Sequence, residues 1–126
     1  MTRAEELVKR IVTEFKARGY EIIELTAIDA YTRERVVWAY EIERDSKTIR
    51  IEETYRHNGT SENVTARIKV FDKTDRLHGY KTLYETKIPY EASKRVINNR
   101  IDKALEKFKY SEPEPFKMEM LDSFYQ

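Results

Sequence analysis

The fold is decided by residues 36–70, which read VVWAYEIERDSKTIRIEETYRHNGTSENVTARIKV. Apolar and polar residues alternate in three parts of this stretch, and the apolar series are Val36, Trp38, Tyr40 and Ile42, then Ile49, Ile51 and Tyr55, then Val64, Ala66, Ile68 and Val70. A period of two is typical of antiparallel strands with one face on a core and one face in water. The stretch therefore predicts two successive hairpins whose apolar side chains, Trp38 among them, point into a core.

The turns of these hairpins support the predicted register. A two-residue turn within residues 44–47 places Glu41 opposite Arg50 on the wet face, which is a favourable cross-strand pair. Asn58 and Gly59 form the dipeptide that most strongly indicates a tight hairpin turn. A tight turn there and a longer loop that ends at Asn63 differ by two residues in register, and both leave the same residues on the same face.

Amphipathic segments flank the strands on both sides. Residues 2–18 predict a helix, because Thr2 and Glu5 have the spacing of a capping box and Gly19 supplies a residue that ends helices. Residues 91–109 predict a second helix with one apolar stripe. The two stripes consist of Ala4, Leu7, Val8, Ile11, Val12 and Phe15, and of Val96, Ile97, Ile101, Ala104, Leu105 and Phe108.

Two further strands complete the predicted sheet. Residues 20–31 are apolar without strict alternation, which predicts a bulge or a strand covered on both faces. Residues 80–88 form a last strand that Pro89 ends. The sequence thus predicts an α+β two-layer sandwich, a five-stranded antiparallel meander with an N-terminal and a C-terminal helix packed on one face, in the order α-β-β-β-β-β-α.

The chain divides into one domain and a tail of different character. Residues 1–110 are predicted to form a single α+β domain, and residues 111–126 a proline-containing linker followed by an apolar and acidic tail. Phe116, Met120 and Phe124 recur every four residues in that tail, as in an amphipathic turn. The tail either docks on its own domain, contacts a second copy, or is a recognition peptide that a partner orders.

Composition excludes several classes of protein. The 126 residues suffice for one core, and 24 basic against 23 acidic residues give a net charge of +1, which argues against a basic nucleic-acid coat protein. There is no cysteine, so neither a disulfide framework nor a thiolate zinc site is expected. The N-terminus is charged and long uncharged apolar runs are absent, so we expect a cytoplasmic protein without a signal peptide or a membrane partner.

Chemically reactive residues form no recognisable site. The two histidines, His57 and His78, lie in turns, and no spacing brings them together with carboxylates, so we expect no metal and no cofactor. Glu53 is the one charged residue that the alternation points inward, close to Trp38. It is either a carboxylic acid of raised pKa or a ligand contact in a site. Otherwise it lies where the sheet extends beyond the helices, or it pairs with a tyrosine hydroxyl or a lysine. We therefore expect no catalytic residues.

The wet face of the sheet is the remaining candidate surface. We predict a protein-binding surface made of sheet residues and tail residues, namely Arg35, Arg50, Glu52, Arg67, Lys69, Phe116, Met120 and Phe124. Basic side chains there also allow an RNA- or DNA-binding module that uses Arg50, Arg67, Lys69 and Lys81 with tyrosines as stacking platforms. The third interpretation is a solvated face of cross-strand ion pairs.

In size, lack of cysteine and density of charge, the chain is similar to small proteins that bacteriophages and mobile elements encode. Many of those proteins inhibit host defence enzymes by binding them, and the likeness transfers no residue. It implies a non-enzymatic protein-binding domain, such as an inhibitor of a host nuclease or defence complex of the anti-CRISPR kind. The alternatives are the nucleic-acid-binding module and a small enzyme centred on Glu53, and a homodimer stays open.

Overall fold

The computed structural model describes residues 2–54, 64–74 and 79–109. The predicted turn at Asn58 and Gly59, both histidines and the predicted tail lie outside the described residues. Within them, the elements in chain order are α1 (Arg3–Ala17), β1 (Ile23–Ile28), β2 (Arg35–Arg44), β3 (Lys47–Thr54), β4 (Thr65–Asp72), β5 (Lys81–Pro89) and α2 (Lys94–Lys109). The strands form one antiparallel sheet in the order β1-β2-β3-β4-β5. This confirms the predicted α+β layout.

Both helices begin at the side-chain caps that their sequences provide. At α1, the Thr2 hydroxyl accepts the backbone N–H of Glu5 at 3.2 Å, and the Glu5 carboxylate accepts the N–H of Thr2 at 3.4 Å, so the predicted capping box is confirmed. Gly19 follows that helix with a φ of +87°. At α2, the Ser93 hydroxyl accepts the backbone N–H of Val96 at 3.2 Å.

The register of the first tight hairpin is the predicted one. Glu41 lies opposite Arg50 and Ile42 lies opposite Ile49. Asp45 takes the left-handed conformation in the turn, with a φ of +54°, which aspartate adopts more readily than most residues. A one-residue slip would have moved every side chain of β3 to the other face, so this turn fixes which face is buried.

The two helices pack side by side on one face of the sheet, which we call the inner face. Its core residues on the strands are Ile42, Ile49, Ile51, Ala66, Ile68, Val70 and Ile88, and those on the helices include Leu7, Ile11, Phe15, Ile97, Ile101, Leu105 and Phe108. Most of these side chains are fully buried. Among the described residues, neither helix has the length and hydrophobicity that crossing a membrane requires.

The opposite, outer face is less open to solvent than the sequence predicted. Its residues alternate with those of the inner face, and at its centre Glu41, Thr48 and Phe71 are buried. The long side chains of Arg50 and Lys73 reach across the Phe71 ring, to 5.2 Å and 5.7 Å from its centroid. Alternation assigns a residue to a face, but it does not foresee that the stems of charged neighbours cover an aromatic ring there.

Candidate protein-binding surface

Within the described residues, the hairpin of β1 and β2 continues past the end of the pairing between β2 and β3. There β2 pairs with β1 from Arg35 onward, whereas its pairing with β3 begins only at Ala39. We call residues 26–38 the arm, the part of the hairpin for which the described residues show no pairing with β3. Large apolar side chains are exposed along the arm, namely Ile28, Tyr31, Val36, Val37 and Trp38.

The tip of the arm has a defined conformation without an apolar core. One Asp29 carboxylate oxygen accepts the backbone N–H groups of Tyr31 and Thr32 at 2.8 Å and 2.9 Å. The hydrogen bonds from Thr32 and Tyr31 lower the pKa of Asp29. Arg33 has a φ of +61°, and its N–H donates to the carbonyl of Asp29. The loop is thus held by local polar contacts, as in an Asx turn.

A bulge at the base of the arm sets the direction of Trp38. Leu25 pairs with Ala39 and the next residue, Thr26, pairs with Val37, so Trp38 is an inserted residue in β2. Its side chain is 47% exposed, and its ring centroid lies 5.7 Å from the guanidinium carbon of Arg50, which belongs to the outer face.

The prediction that Trp38 and Val36 lie in the core is therefore wrong. Both side chains are exposed, because strict alternation stops at the inserted residue and the faces of the preceding residues exchange. The bulge predicted within residues 20–31 is not found in β1, because the extra residue of this hairpin lies in β2.

The structure places the five predicted sheet residues of the binding surface in two different surroundings. Arg35 lies on the arm, where its guanidinium donates to the Thr26 hydroxyl at 3.0 Å. The other four lie on the main part of the outer face, and are Arg50, Glu52, Arg67 and Lys69. The three tail residues of the prediction, Phe116, Met120 and Phe124, lie outside the described residues.

Most charges of the outer face are satisfied by neighbours across the strands. Arg50 Nε lies 2.7 Å from the Glu41 carboxylate. Arg67 lies between two carboxylates, 3.6 Å from that of Glu52 and 3.0 Å from that of Glu85. Its Nε is close enough to Glu85 for an ion pair but is not aligned for a hydrogen bond. Acidic and basic side chains are thus interspersed on the outer face, which is not a basic patch.

A row of aromatic and cationic side chains crosses the outer face from the base of the arm. The Arg50 guanidinium lies between the rings of Trp38 and Phe71, within cation–π distance of both. The Lys73 ammonium lies 5.7 Å from the centroid of Phe71 and 5.8 Å from that of Tyr80. The rings of Phe71 and Tyr80 are 5.4 Å apart. Trp38 thus stands at one end of this row, and it also lines the cleft between the arm and α1.

A cleft opens on the inner side, where the base of the arm meets α1. It has a volume of about 260 Å³. Val8 and Val37 contribute apolar walls, and Glu5, Tyr40 and Glu53 contribute polar groups. Glu53 is an exposed residue near the end of β3, and it lines this cleft together with Glu5, Val8 and Lys9 of α1. Burial and the nearby charge of Glu5 raise the pKa of Glu53.

Sequence analysis missed the apolar part of this surface. Ile28, Tyr31 and Val37 were not among its candidates, because only charged residues of the sheet were considered for the surface. The uninterrupted run of Val36, Val37 and Trp38 was the available signal, since three successive apolar residues cannot all occupy one buried face of a regular strand.

Among the described residues, no group of three or more histidine, cysteine, aspartate or glutamate side chains could hold a metal ion. Comparison with protein-family models, with curated proteins and with solved structures finds no match to this chain.

Proposed function

We propose that the chain is a non-enzymatic protein-binding domain whose partner contacts the arm. The clustering of exposed large apolar residues along the arm is the observation that carries this proposal. Ile28 is 67% exposed, and Val36, Val37 and Trp38 are each exposed by 39% or more. Single exposed apolar residues are ordinary, but several within one short segment often mark a contact with another macromolecule.

Energetics favour a partner on the arm. A two-stranded hairpin by itself is only marginally stable in water. Burying apolar area stabilises by about 25 cal/mol per Å², so covering the valines and Trp38 would favour association. The Asp29 turn restrains the tip before binding, which reduces the conformational entropy that binding would cost.

The two edge strands of the sheet differ in how readily they could pair with another strand, and this difference favours a partner on the side of the arm. The β5 edge carries Lys81 and Lys87, ends at Pro89 and contains a bulge at Leu83, all of which discourage pairing with another strand. The β1 edge reads IELTAI and has neither lysine nor proline. A partner is therefore expected to approach the β1 side of the molecule.

The charge pattern weakens the nucleic-acid alternative. Nucleic-acid binding depends on cations that neutralise phosphates. Arg50 is engaged by Glu41, and Arg67 is engaged by Glu52 and Glu85, so phosphates would have to compete with carboxylates already in place. An inhibitor of a host nuclease or defence complex remains one form of the proposed function, because covering a partner's surface needs no catalytic group.

The proposal is tested with a matched pair of valines. Val37 on the arm and Val96 on α2 are both 39% exposed, so Val37→Lys and Val96→Lys make the same change at the same exposure. Ile28→Lys tests a second position on the arm. Each tagged variant is incubated with nuclease-treated lysate of the cells that produce the protein, and the captured proteins are quantified by mass spectrometry.

The expected result is a stoichiometric protein captured by the parent and by Val96→Lys but lost from both arm variants, with unchanged melting temperatures. Light scattering on the same variants shows whether the captured partner is a second copy of the chain. Equal capture by all variants, or capture that disappears on nuclease treatment, would overturn the proposal.

A further inference from the structure

The cleft between α1 and the arm has an excess of negative charge. Its polar lining includes the carboxylates of Glu5 and Glu53 and the single ammonium group of Lys9. Within the described residues, the Glu53 carboxylate has neither a hydrogen bond nor an ion pair. This distinguishes it from the neighbouring Glu52, which lies on the outer face 3.6 Å from Arg67.

Two groups that line the cleft have raised pKa values. Burial and the charge of Glu5 raise the pKa of Glu53. Burial and the charges of Glu24 and Glu5 raise the pKa of the Tyr40 hydroxyl. Both shifts arise from removal from water together with the charge of neighbouring carboxylates, and a bound cation would oppose the electrostatic part of each.

The walls of the cleft suit an amphipathic cation. Val8 and Val37 offer methyl groups to an alkyl chain, and Tyr40 adds an aromatic ring. Arginine combines a three-carbon stem with a weakly hydrated planar cation that bonds carboxylates and stacks on rings. A volume of about 260 Å³ is ample for one such side chain. The cleft also adjoins the arm, because Val37 belongs to both.

We propose that this cleft receives an arginine side chain of the protein partner, with its guanidinium group between the carboxylates of Glu53 and Glu5 and its stem against Val8 and Val37. This inference rests on the proposed function and specifies the chemistry of the partner. The apolar arm supplies contact area, whereas the cleft selects a partner with a basic residue at the matching position.

The inference is tested by NMR titration of the full-length ¹⁵N-labelled protein. The probes are N-acetyl-arginine amide and its uncharged counterpart, N-acetyl-citrulline amide. The arginine probe is expected to shift the amide signals of Val37, Tyr40 and Glu53 in a saturable manner, and the citrulline probe is not. Glu53→Gln should weaken binding of the arginine probe by about tenfold, as expected for loss of a charge-assisted contact. Glu52→Gln is the matched control and should leave it unchanged.

Several results would overturn the inference. They are equal shifts with both probes, no saturable shift with arginine, or the same effect of Glu53→Gln and Glu52→Gln. The lysate experiment separates this inference from the proposed function. Retained capture by Glu53→Gln together with loss by Ile28→Lys would reject the cleft and leave the arm as the binding surface, whereas retained capture by Ile28→Lys would reject the arm.

Discussion

Arg50 Nε lies 2.7 Å from a carboxylate oxygen of Glu41, on the sheet face that neither helix covers. The Glu41 side chain is only 6% exposed, and that of Arg50 is 30% exposed. The same guanidinium contacts the rings of Trp38 and Phe71. One side chain thus neutralises a buried carboxylate, covers a core aromatic ring and positions the base of the arm.

Replacing Arg50 with alanine is expected to destabilise the fold by about 2–3 kcal/mol, because it leaves the buried Glu41 carboxylate unpaired and part of that cost is screened by solvent. Arg67→Ala is the matched control. Arg67 is 31% exposed, but its partners Glu52 and Glu85 are 20% and 41% exposed, so a loss of about 1 kcal/mol or less is expected. Urea denaturation measures both, and equal losses would contradict the assigned role of Glu41 burial.

Trp38→Ala should cost much less than its size suggests. Trp38 is 47% exposed and Phe71 is 2% exposed. We expect a loss of about 1 kcal/mol for Trp38→Ala and about 3–5 kcal/mol for Phe71→Ala, the range for deleting a buried aromatic ring. Thermal denaturation of the two variants decides the point. A loss above that of Phe71→Ala would return Trp38 to the core, where strict alternation had placed it.

The sequence predicted the helices, the sheet order and the Glu41–Arg50 register because each rests on a local signal. Thr2 and Glu5 cap α1 through contacts within one turn, and the tight loop at Asp45 fixes the pairing beside it. The apolar run of Val36, Val37 and Trp38 indicates an irregularity but does not say which residue is inserted, since an apolar run satisfies either face.

The candidate surface was less predictable for a related reason. The sequence shows that Arg67 is charged but not that Glu85, from a strand with its own bulge, lies 3.0 Å away. The described pairing of β2 with β3 ends at Ala39, next to the inserted residue Trp38, and alternation along the sequence does not locate that residue.

Asp29→Ala is expected to loosen the arm without unfolding the domain. The substitution removes the acceptor of two backbone N–H groups, so amide exchange of residues 26–38 should accelerate while that of β3 and β4 is unchanged. Asp29→Asn keeps an oxygen acceptor and serves as the control. Because the pKa of Asp29 is lowered, its contribution is present above the ordinary aspartate range and is lost as the pH falls through the lowered pKa. If the amides of residues 26–38 exchange as slowly in Asp29→Ala as in the parent protein, the side chain does not have this role.

Glu53→Gln is expected to raise the melting temperature at pH 7 and to have no effect below pH 4.5, the ordinary pKa of the group. The folded state raises this pKa, so it holds the proton more tightly than the unfolded chain does. The stability that Glu53 contributes is therefore present at low pH and is lost as the pH rises through the raised pKa. Glutamine is uncharged at every pH. The substitution therefore removes the cost of burying a charge and the repulsion from Glu5 only at pH values where Glu53 is ionised. Glu52→Gln instead removes an ion-pair partner of Arg67 and should bring no gain at pH 7. The test is to measure the melting temperatures of the parent and both variants from pH 4 to pH 7. If Glu53→Gln differs from the parent by the same amount at pH 4 and at pH 7, ionisation of Glu53 does not destabilise the fold.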